Sequence, residues 1–431
     1  MNSGQLSLEG VAWGWMVTGF LSLFFVISFV DRTIISLLVQ PIATEFGASD
    51  IQMGLLYGTA FGLAYSLMGL PAAYFIDGGH RKMILVTGVV LWSLSTALCA
   101  FVPSYNWLLA CRVGVAVGEA VLSPAAVSMI ADLFPRRKRH LPTSVFLTTG
   151  ILMATGSYFV GGLAMQFAAH LFAPETLDLW RATMLVVGVP GIILGLAFAL
   201  LVPDPPRLEE VAHPRAAHGF VHYLQAEWRL FVVAILAGGL ISVVSFGVIG
   251  WLPTVMVREH GFDIAAAGYF VSLVGIPSTI LGALGLPMLG AWLERNGWPD
   301  ALMLLLMLSA ASMLCFAFLP WAGSPTMVAV CLAPGLIGVT SKISLTTLIV
   351  QKSAPGRMRA RFMALIMLMT NVAGFGTGPF LVALIAGTWF PGPAGLSAGI
   401  SVLAIVVTPL AFLAFASALR PYRTLLSSAP A

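Results

Sequence analysis

Charge is what this sequence has least of: Asp, Glu, Lys and Arg make up 9% of its 431 residues, against roughly 25% in soluble globular domains. Since 59% of the chain is hydrophobic, this scarcity excludes a soluble fold, which would have too little charged surface to cover its apolar residues. Cysteine is scarce too. The four present, Cys99, Cys111, Cys315 and Cys331, all lie within apolar stretches, a placement that suggests neither a disulfide framework nor a clustered metal site and reads them as packing residues. The seven histidines fall in loops or at the ends of apolar stretches. A membrane enzyme, which needs a nucleophile–base pair or a metal cluster, therefore finds no support, and no cofactor is implied. Rings of like charge and filter sequences are missing as well, which disfavours a channel.

What is present is hydrophobic length. A hydrocarbon core of about 30 Å takes roughly 20 apolar residues per helical span, and twelve segments of that size run over approximately 12–38, 51–76, 83–102, 106–132, 141–169, 182–203, 229–257, 264–293, 299–320, 325–350, 361–388 and 396–419. Barrel strands would alternate polarity over about ten residues, and these segments do not. The first has neither a basic leading region nor a small-residue cleavage site, so it reads as a retained helix. An all-α membrane protein follows.

Sixteen of the 21 Lys and Arg residues lie at the termini or in the even-numbered loops, among them Arg81, Lys82, the run Arg136–Arg139, Lys352 and Arg423. The odd-numbered loops hold only Arg181 and Arg258. The positive-inside rule then places both termini in the cytoplasm. The net charge of +4 is a topology signal, and no nucleic-acid partner is implied. Short termini and the lack of a glycosylation sequon fit a bacterial inner (plasma) membrane.

The largest break in the apolar pattern, DPPRLEEVAHPRAAH near 204–228, divides the chain into 1–203 and 229–431 around a cytoplasmic linker. The halves echo each other at an offset of about 214–220 residues. AYFIDGGHRK (73–82) answers GAWLERNGW (290–298), matching Asp77 with Glu294. Pro135 and Arg139 answer Pro355 and Arg359, and GASDIQMG (47–54) answers GFDIAAAG (261–268). Two pseudo-symmetric six-helix bundles with a substrate site between them are one known transporter architecture.

Specific motifs extend this reading. Ala73, Asp77, Arg81 and Lys82 stand between the second and third spans, and Arg112, Gly118, Glu119, Ala120 and Pro124 lead into IADLFPRRKR (130–139). Together they resemble the signatures of the major facilitator superfamily. RVGVAVGEAVLSPAA followed by DLFP, with Asp31-Arg32 in the first span, is similar to the spinster-type subfamily. The chain departs from the family pattern in Ala73, where Gly is usual, in Gly78, where Arg is common, and in TGSYFVGG (155–162), which lacks the Gly-Pro pair of many antiporters.

Five charges sit inside spans: Asp31, Arg32, Arg112, Glu119 and Lys342. Each costs roughly 2.5–3.5 kcal/mol at mid-bilayer on insertion scales. At a rise of about 1.5 Å per residue, Asp31, Arg32 and Arg112 form one layer about 10 Å from the outer side. Glu119, seven residues beyond Arg112, lies on the same helical face about 10 Å deeper. A relay follows, with Asp31 and Glu119 carrying a proton and Arg32, Arg112 and Lys342 meeting a substrate headgroup. The competing reading is a fixed ion network tying the first span to the fourth. For Lys342 it is a side chain that snorkels to the cytoplasmic interface.

The resemblance implies a gating network, with Asp77 capping a helix of the opposite half, Arg81 paired with Asp132, and Glu294 as the second-half counterpart. The alternative for this set is solvated, topology-setting loop charge. Three intramembrane cations against two anions suit an anionic or zwitterionic headgroup, and the apolar walls suit an amphiphile. The spinster resemblance implies a lysolipid or a sphingoid phosphate. The sequence thus describes a monomeric, proton-coupled transporter working by alternating access in a lipid bilayer. An organic-anion/proton symporter and a non-transporting receptor are its rivals.

Overall fold

The computed structural model describes residues 8–77, 80–135, 137–204, 224–225, 228–354, 358–392 and 394–428. Side chains are described from Ala12 onward, apart from those of Leu70, Ala73, Asp77, Arg229, Ala360, Ser427 and Ser428. The described residues form helices and connecting turns. Twelve helices are long and apolar enough to cross a membrane: α1 (Ala12–Leu37), α2 (Asp50–Ile76), α3 (Arg81–Phe101), α4 (Tyr105–Leu133), α5 (His140–Leu171), α6 (Leu179–Leu201), α7 (Leu230–His260), α8 (Ile264–Arg295), α9 (Ala301–Trp321), α10 (Pro325–Ser353), α11 (Arg361–Trp389) and α12 (Gly395–Leu426).

The twelve expected spans are all present, with shifts at their ends. Helix α1 stops at Leu37, and after a bend at Leu38 a short helix runs over Val39–Phe46. The cause is local: Pro41 has no N–H to offer the Leu37 carbonyl, and its ring crowds that position. Helix α12 outruns the expected 419 and reaches Leu426, with Tyr422 fully buried and Arg423 Nε donating to Asp300 Oδ2 at 2.7 Å.

The chain divides into two compact units, Met1–Ala48 with Leu63–His213, and Ser49–Gly62 with Pro214–Ala431. The expected linker, 204–228, lies mostly outside the described residues. Each unit repeats one pairing scheme. In the first, α3 packs on α4 and α6 while α1 packs on α5; in the second, α9 packs on α10 and α12 while α7 packs on α11. The sequence echo at 47–54 and 261–268 is a structural one as well. Gly47 (φ 60°) and Gly261 (φ 69°) adopt the left-handed conformation that glycine reaches without strain. Two residues on, Ser49 and Asp263 cap α2 and α8 by accepting from the backbone N–H of Gln52 and Ala265.

The boundary of the first unit differs from the expected 1–203, because residues 49–62 at the start of α2 pack within the second unit. Gly54, Gly58 and Gly62 form a row on one face of α2. A Cβ at Gly54 would lie 2.9 Å from the Pro379 carbonyl, so only glycine permits this approach to α11. Thr59 Oγ1 donates to the Gly376 carbonyl at 2.7 Å, and Arg258 at the end of α7 donates to both carboxylate oxygens of Asp50 at 2.8 and 2.9 Å.

Candidate functional site

The charge cluster of the first unit is built by the segment RVGVAVGEA of α4 (112–120). Gly114 and Gly118 form one ridge of the helix, facing α3. A Cβ at Gly118 would stand 2.7 Å from the Gly88 carbonyl and from the Trp92 backbone nitrogen, and one at Gly114 would stand 2.6 Å from Ser95 Oγ. This close approach fixes the rotation of α4. Arg112 and Glu119, seven residues apart and so on one stripe of the helix, reach the groups of α1. Glu119 is the last residue before a turn at Ala120–Val121 interrupts the helix. Pro124, which cannot donate to the Ala120 carbonyl, accounts for that interruption.

Glu119 and Asp31 are completely buried, as is Arg112. Glu119 Oε2 accepts from Arg32 Nε at 2.5 Å and from Ser28 Oγ at 2.8 Å. Ser28 and Arg32, one turn apart on α1, thus close on a single oxygen of α4. The guanidinium of Arg32 lies 4.7 Å from the centre of the Tyr65 ring and 5.4 Å from that of Phe29, an arrangement that favours a cation. Arg112 Nη1 donates to the backbone carbonyl of Asp31 at 3.1 Å. The Asp31 carboxylate is within electrostatic range of Glu119, Arg112 and Arg32, and beside the Thr96 hydroxyl. Neither of its oxygens receives a hydrogen bond from a described residue. Arg32 keeps 14% of its side-chain surface exposed while Glu119 keeps none, so Arg32 is the part of the pair open to a ligand.

This geometry corrects part of the expected arrangement. Arg112 does meet Asp31, but Glu119 is not a separate station, because Arg32 and Glu119 are in direct contact. Counting backbone rise places Cα atoms, but an arginine side chain spans more than a helical turn, and here it reaches down α1 to the carboxylate.

Lys342 belongs to the second unit. It is 4% exposed, and its Nζ lies 2.5 Å from Ser242 Oγ of α7. The amine therefore points across the bundle and does not snorkel to the helix end. Among the described residues it has no acidic partner. Ser242 Oγ donates to the Gly238 carbonyl at 2.6 Å, which leaves its oxygen lone pairs for Lys342.

At the loop ends, Arg81 Nη1 meets Asp132 Oδ2 at 2.5 Å and Ser128 Oγ at 3.0 Å. Glu294 Oε2 meets Lys352 Nζ at 2.5 Å. The same tie, from the loop after the second helix to the end of the fourth, thus recurs in both units with its charges exchanged. The side chain of Asp77 lies outside the described residues. Ser28, Thr96 and Ser242 are site neighbours that sequence reasoning missed. Serine and threonine are common in membrane helices, and only the spacing of Ser28 to Arg32, one turn, hinted at a shared target.

A profile of the Major Facilitator Superfamily matches residues 21–377. An MFS-type efflux pump of Mycolicibacterium smegmatis is 27% identical over 385 residues, covering 86% of this chain and 84% of the pump. The sphingosine-1-phosphate transporter SPNS2 of Xenopus tropicalis is 26% identical over 394 residues, covering 85% and 73%. Among solved structures, a bacterial homologue of the human lysosomal transporter spinster, in an inward-facing and occupied conformation, has a similar fold. Its TM-score is 0.78 at 24% identity, with 96% of this chain and 98% of that one covered.

Proposed function

This chain belongs to the major facilitator superfamily and is a membrane transporter of that fold, and we propose that it is a proton-coupled carrier of an amphiphile with an anionic or zwitterionic headgroup. A lysolipid or a sphingoid phosphate is the substrate class that suits it, moved by alternating access across a bacterial inner membrane with both termini in the cytoplasm. The transport of sphingosine-1-phosphate by a relative 26% identical supports the class of substrate.

The observation that carries the coupling is the clamp on Glu119 beside Asp31. Arg32 holds a buried carboxylate and is also the exposed member of the pair. A substrate anion that reaches Arg32 competes with Glu119 for it. Glu119 displaced from its arginine is a buried charge without compensation, and taking up a proton removes that cost. Asp31, within electrostatic range of the same groups, is the second carboxyl through which the proton passes. Arg112 holds the α1 backbone at Asp31 and adds positive potential, and Lys342 is the cation that the second unit offers to an anionic headgroup. The ties Arg81–Asp132 and Glu294–Lys352 act as loop latches of the gating network, together with Asp77. No resident cofactor or metal enters this scheme.

An organic-anion/proton symporter is the second reading, favoured by the Ser242 hydroxyl beside the Lys342 amine, a pair that suits a carboxylate as well as a phosphate. The test is transport into proteoliposomes of the purified chain under a pH gradient of either sense, with labelled lysolipid and a labelled sugar acid in parallel. Lysolipid flux that follows the gradient supports the first reading. Flux of the sugar acid alone selects the second, and lysolipid flux indifferent to the gradient overturns the coupling.

A further inference from the structure

Cysteine is rare in the chain, yet its four residues fall on equivalent positions of the two halves. Cys99 and Cys315 lie toward the ends of α3 and α9, 216 residues apart, while Cys111 and Cys331 lie in α4 and α10, 220 residues apart. These separations match the repeat of the halves. The chemistry proposed above uses none of the four, and all are free thiols.

In the first unit the two helices run antiparallel with their backbones nearly touching. The contact follows a ladder: Gly118 meets Trp92, and Gly114 meets Ser95. A Cβ at Gly118 would be 2.9 Å from that of Trp92, and one at Gly114 would be 3.3 Å from that of Ser95. One turn further along both helices the ladder reaches Cys99 and Cys111. Their thiols lie within interaction range of each other and of the Arg112 charge, with Cys99 Sγ also 3.3 Å from the Ser95 carbonyl. The preceding rungs place Cβ atoms close to the separation of about 3.5–4.5 Å that a disulfide requires. In the second unit the corresponding turn, Met313–Trp321, is a 3-10 helix. Beyond the contacts of Gly338 and Gly335 with Ser309, Ser312 and Phe316, the Cys315 and Cys331 thiols lie within electrostatic range of each other, but the longer rise of the 3-10 turn interrupts the α-helical ladder that brings Cys99 and Cys111 to the next rung.

We propose that Cys99 and Cys111 form a reversible disulfide, a redox site that locks α3 to α4 beside Arg112. The oxidant is of the disulfide or diazene class. The Cys111 thiol, partly exposed where Cys99 is buried, reacts first and becomes covalently joined to the oxidant. The Cys99 thiolate then attacks Cys111 Sγ, the bond to the oxidant breaks, and the oxidant leaves reduced. Two electrons and the two thiol protons pass from the cysteines to the oxidant, which leaves as a dithiol or a hydrazine. The lock fixes the backbone of residue 111, and Arg112 with it, so the oxidised form has a lower transport rate.

The experiment treats purified full-length chain in proteoliposomes with diamide, then counts free thiols by maleimide labelling after denaturation and maps linked peptides by mass spectrometry. Two of the four thiols should disappear, with a Cys99–Cys111 linked peptide, and dithiothreitol should restore both. Four surviving thiols, or a link only between Cys315 and Cys331, overturn the proposal. Cys111→Ser and Cys99→Ala, assayed separately, should each abolish the link, so one poorly folded variant does not decide the outcome. The slowing of transport rests on the role proposed for Arg112 and is read separately, as diamide-sensitive lysolipid flux that Cys111→Ser makes insensitive. A link without slowing retains the redox site and removes its regulatory effect.

Discussion

Arg32 and Glu119, 87 residues apart in sequence, meet at 2.5 Å in a part of the first unit where Glu119 has no exposed surface. The contact joins α1 to α4, and Ser28 shares the same carboxylate oxygen. With Glu119 wholly buried and Arg32 nearly so, each member relies chiefly on the other to compensate its charge.

Neutralising one member should therefore be worse for the fold than neutralising both. Glu119→Gln leaves the guanidinium of Arg32 without its anion. We expect a loss of about 2–3 kcal/mol, toward the low side of what breaking a buried pair costs, because Arg32 keeps some exposure and the Tyr65 ring. Arg32→Gln combined with Glu119→Gln should recover part of that loss. Thermal unfolding in detergent measures it, and a double-variant loss equal to the sum of the two single-variant losses would show that the pair is not coupled.

Asp31→Asn tests function with little structural cost, since neither oxygen of Asp31 accepts a hydrogen bond from a described residue and asparagine has nearly the same shape. The variant should unfold at the same temperature as the parent. Its lysolipid flux should no longer follow an imposed pH gradient, and unchanged gradient dependence in both Asp31→Asn and Glu119→Gln would sink the relay.

The two loop ties differ in burial, so their losses should differ. Arg81 is 2% exposed against 42% for Lys352. Asp132→Asn strands a buried guanidinium, and we expect slower transport with proton dependence retained and a stability loss of about 2 kcal/mol. Lys352→Gln, in the more exposed tie, should cost less than about 1 kcal/mol. Initial rates at two pH values and unfolding temperatures compare them; equal effects would argue against burial as the deciding factor.

Glycines divide by what surrounds them. Gly118→Ala places a methyl group 2.7 Å from the Gly88 carbonyl, where backbone cannot yield, so α3 and α4 must part and folded yield should fall. Gly19→Ala in α1 meets nothing within 4 Å and should be neutral or slightly stabilising, since alanine is the better helix former by about 1 kcal/mol. Monodispersity on size-exclusion chromatography and unfolding temperature read both; a tolerated Gly118→Ala would show that the close approach is not required.

The twelve spans were legible in the sequence because crossing a membrane is a local property: about 20 apolar residues suffice, whatever they pack against. The repeat of the halves was legible for a similar reason, since Gly47 and Gly261 are required by backbone conformation two residues before a cap. The five intramembrane charges were legible as a set, because a charge in an apolar helix is conspicuous in itself. Their pairing was not legible. Whether Arg32 lies beside Asp31 or reaches Glu119 depends on the rotation of α4, which the Gly118 contact sets, and on the length of an arginine side chain; spacing encodes neither. The amine of Lys342 finds Ser242 a hundred residues away in sequence, and the start of α2 leaves its own half for the second unit. Only tertiary packing decides these outcomes, since each rests on surfaces that meet after the helices have formed.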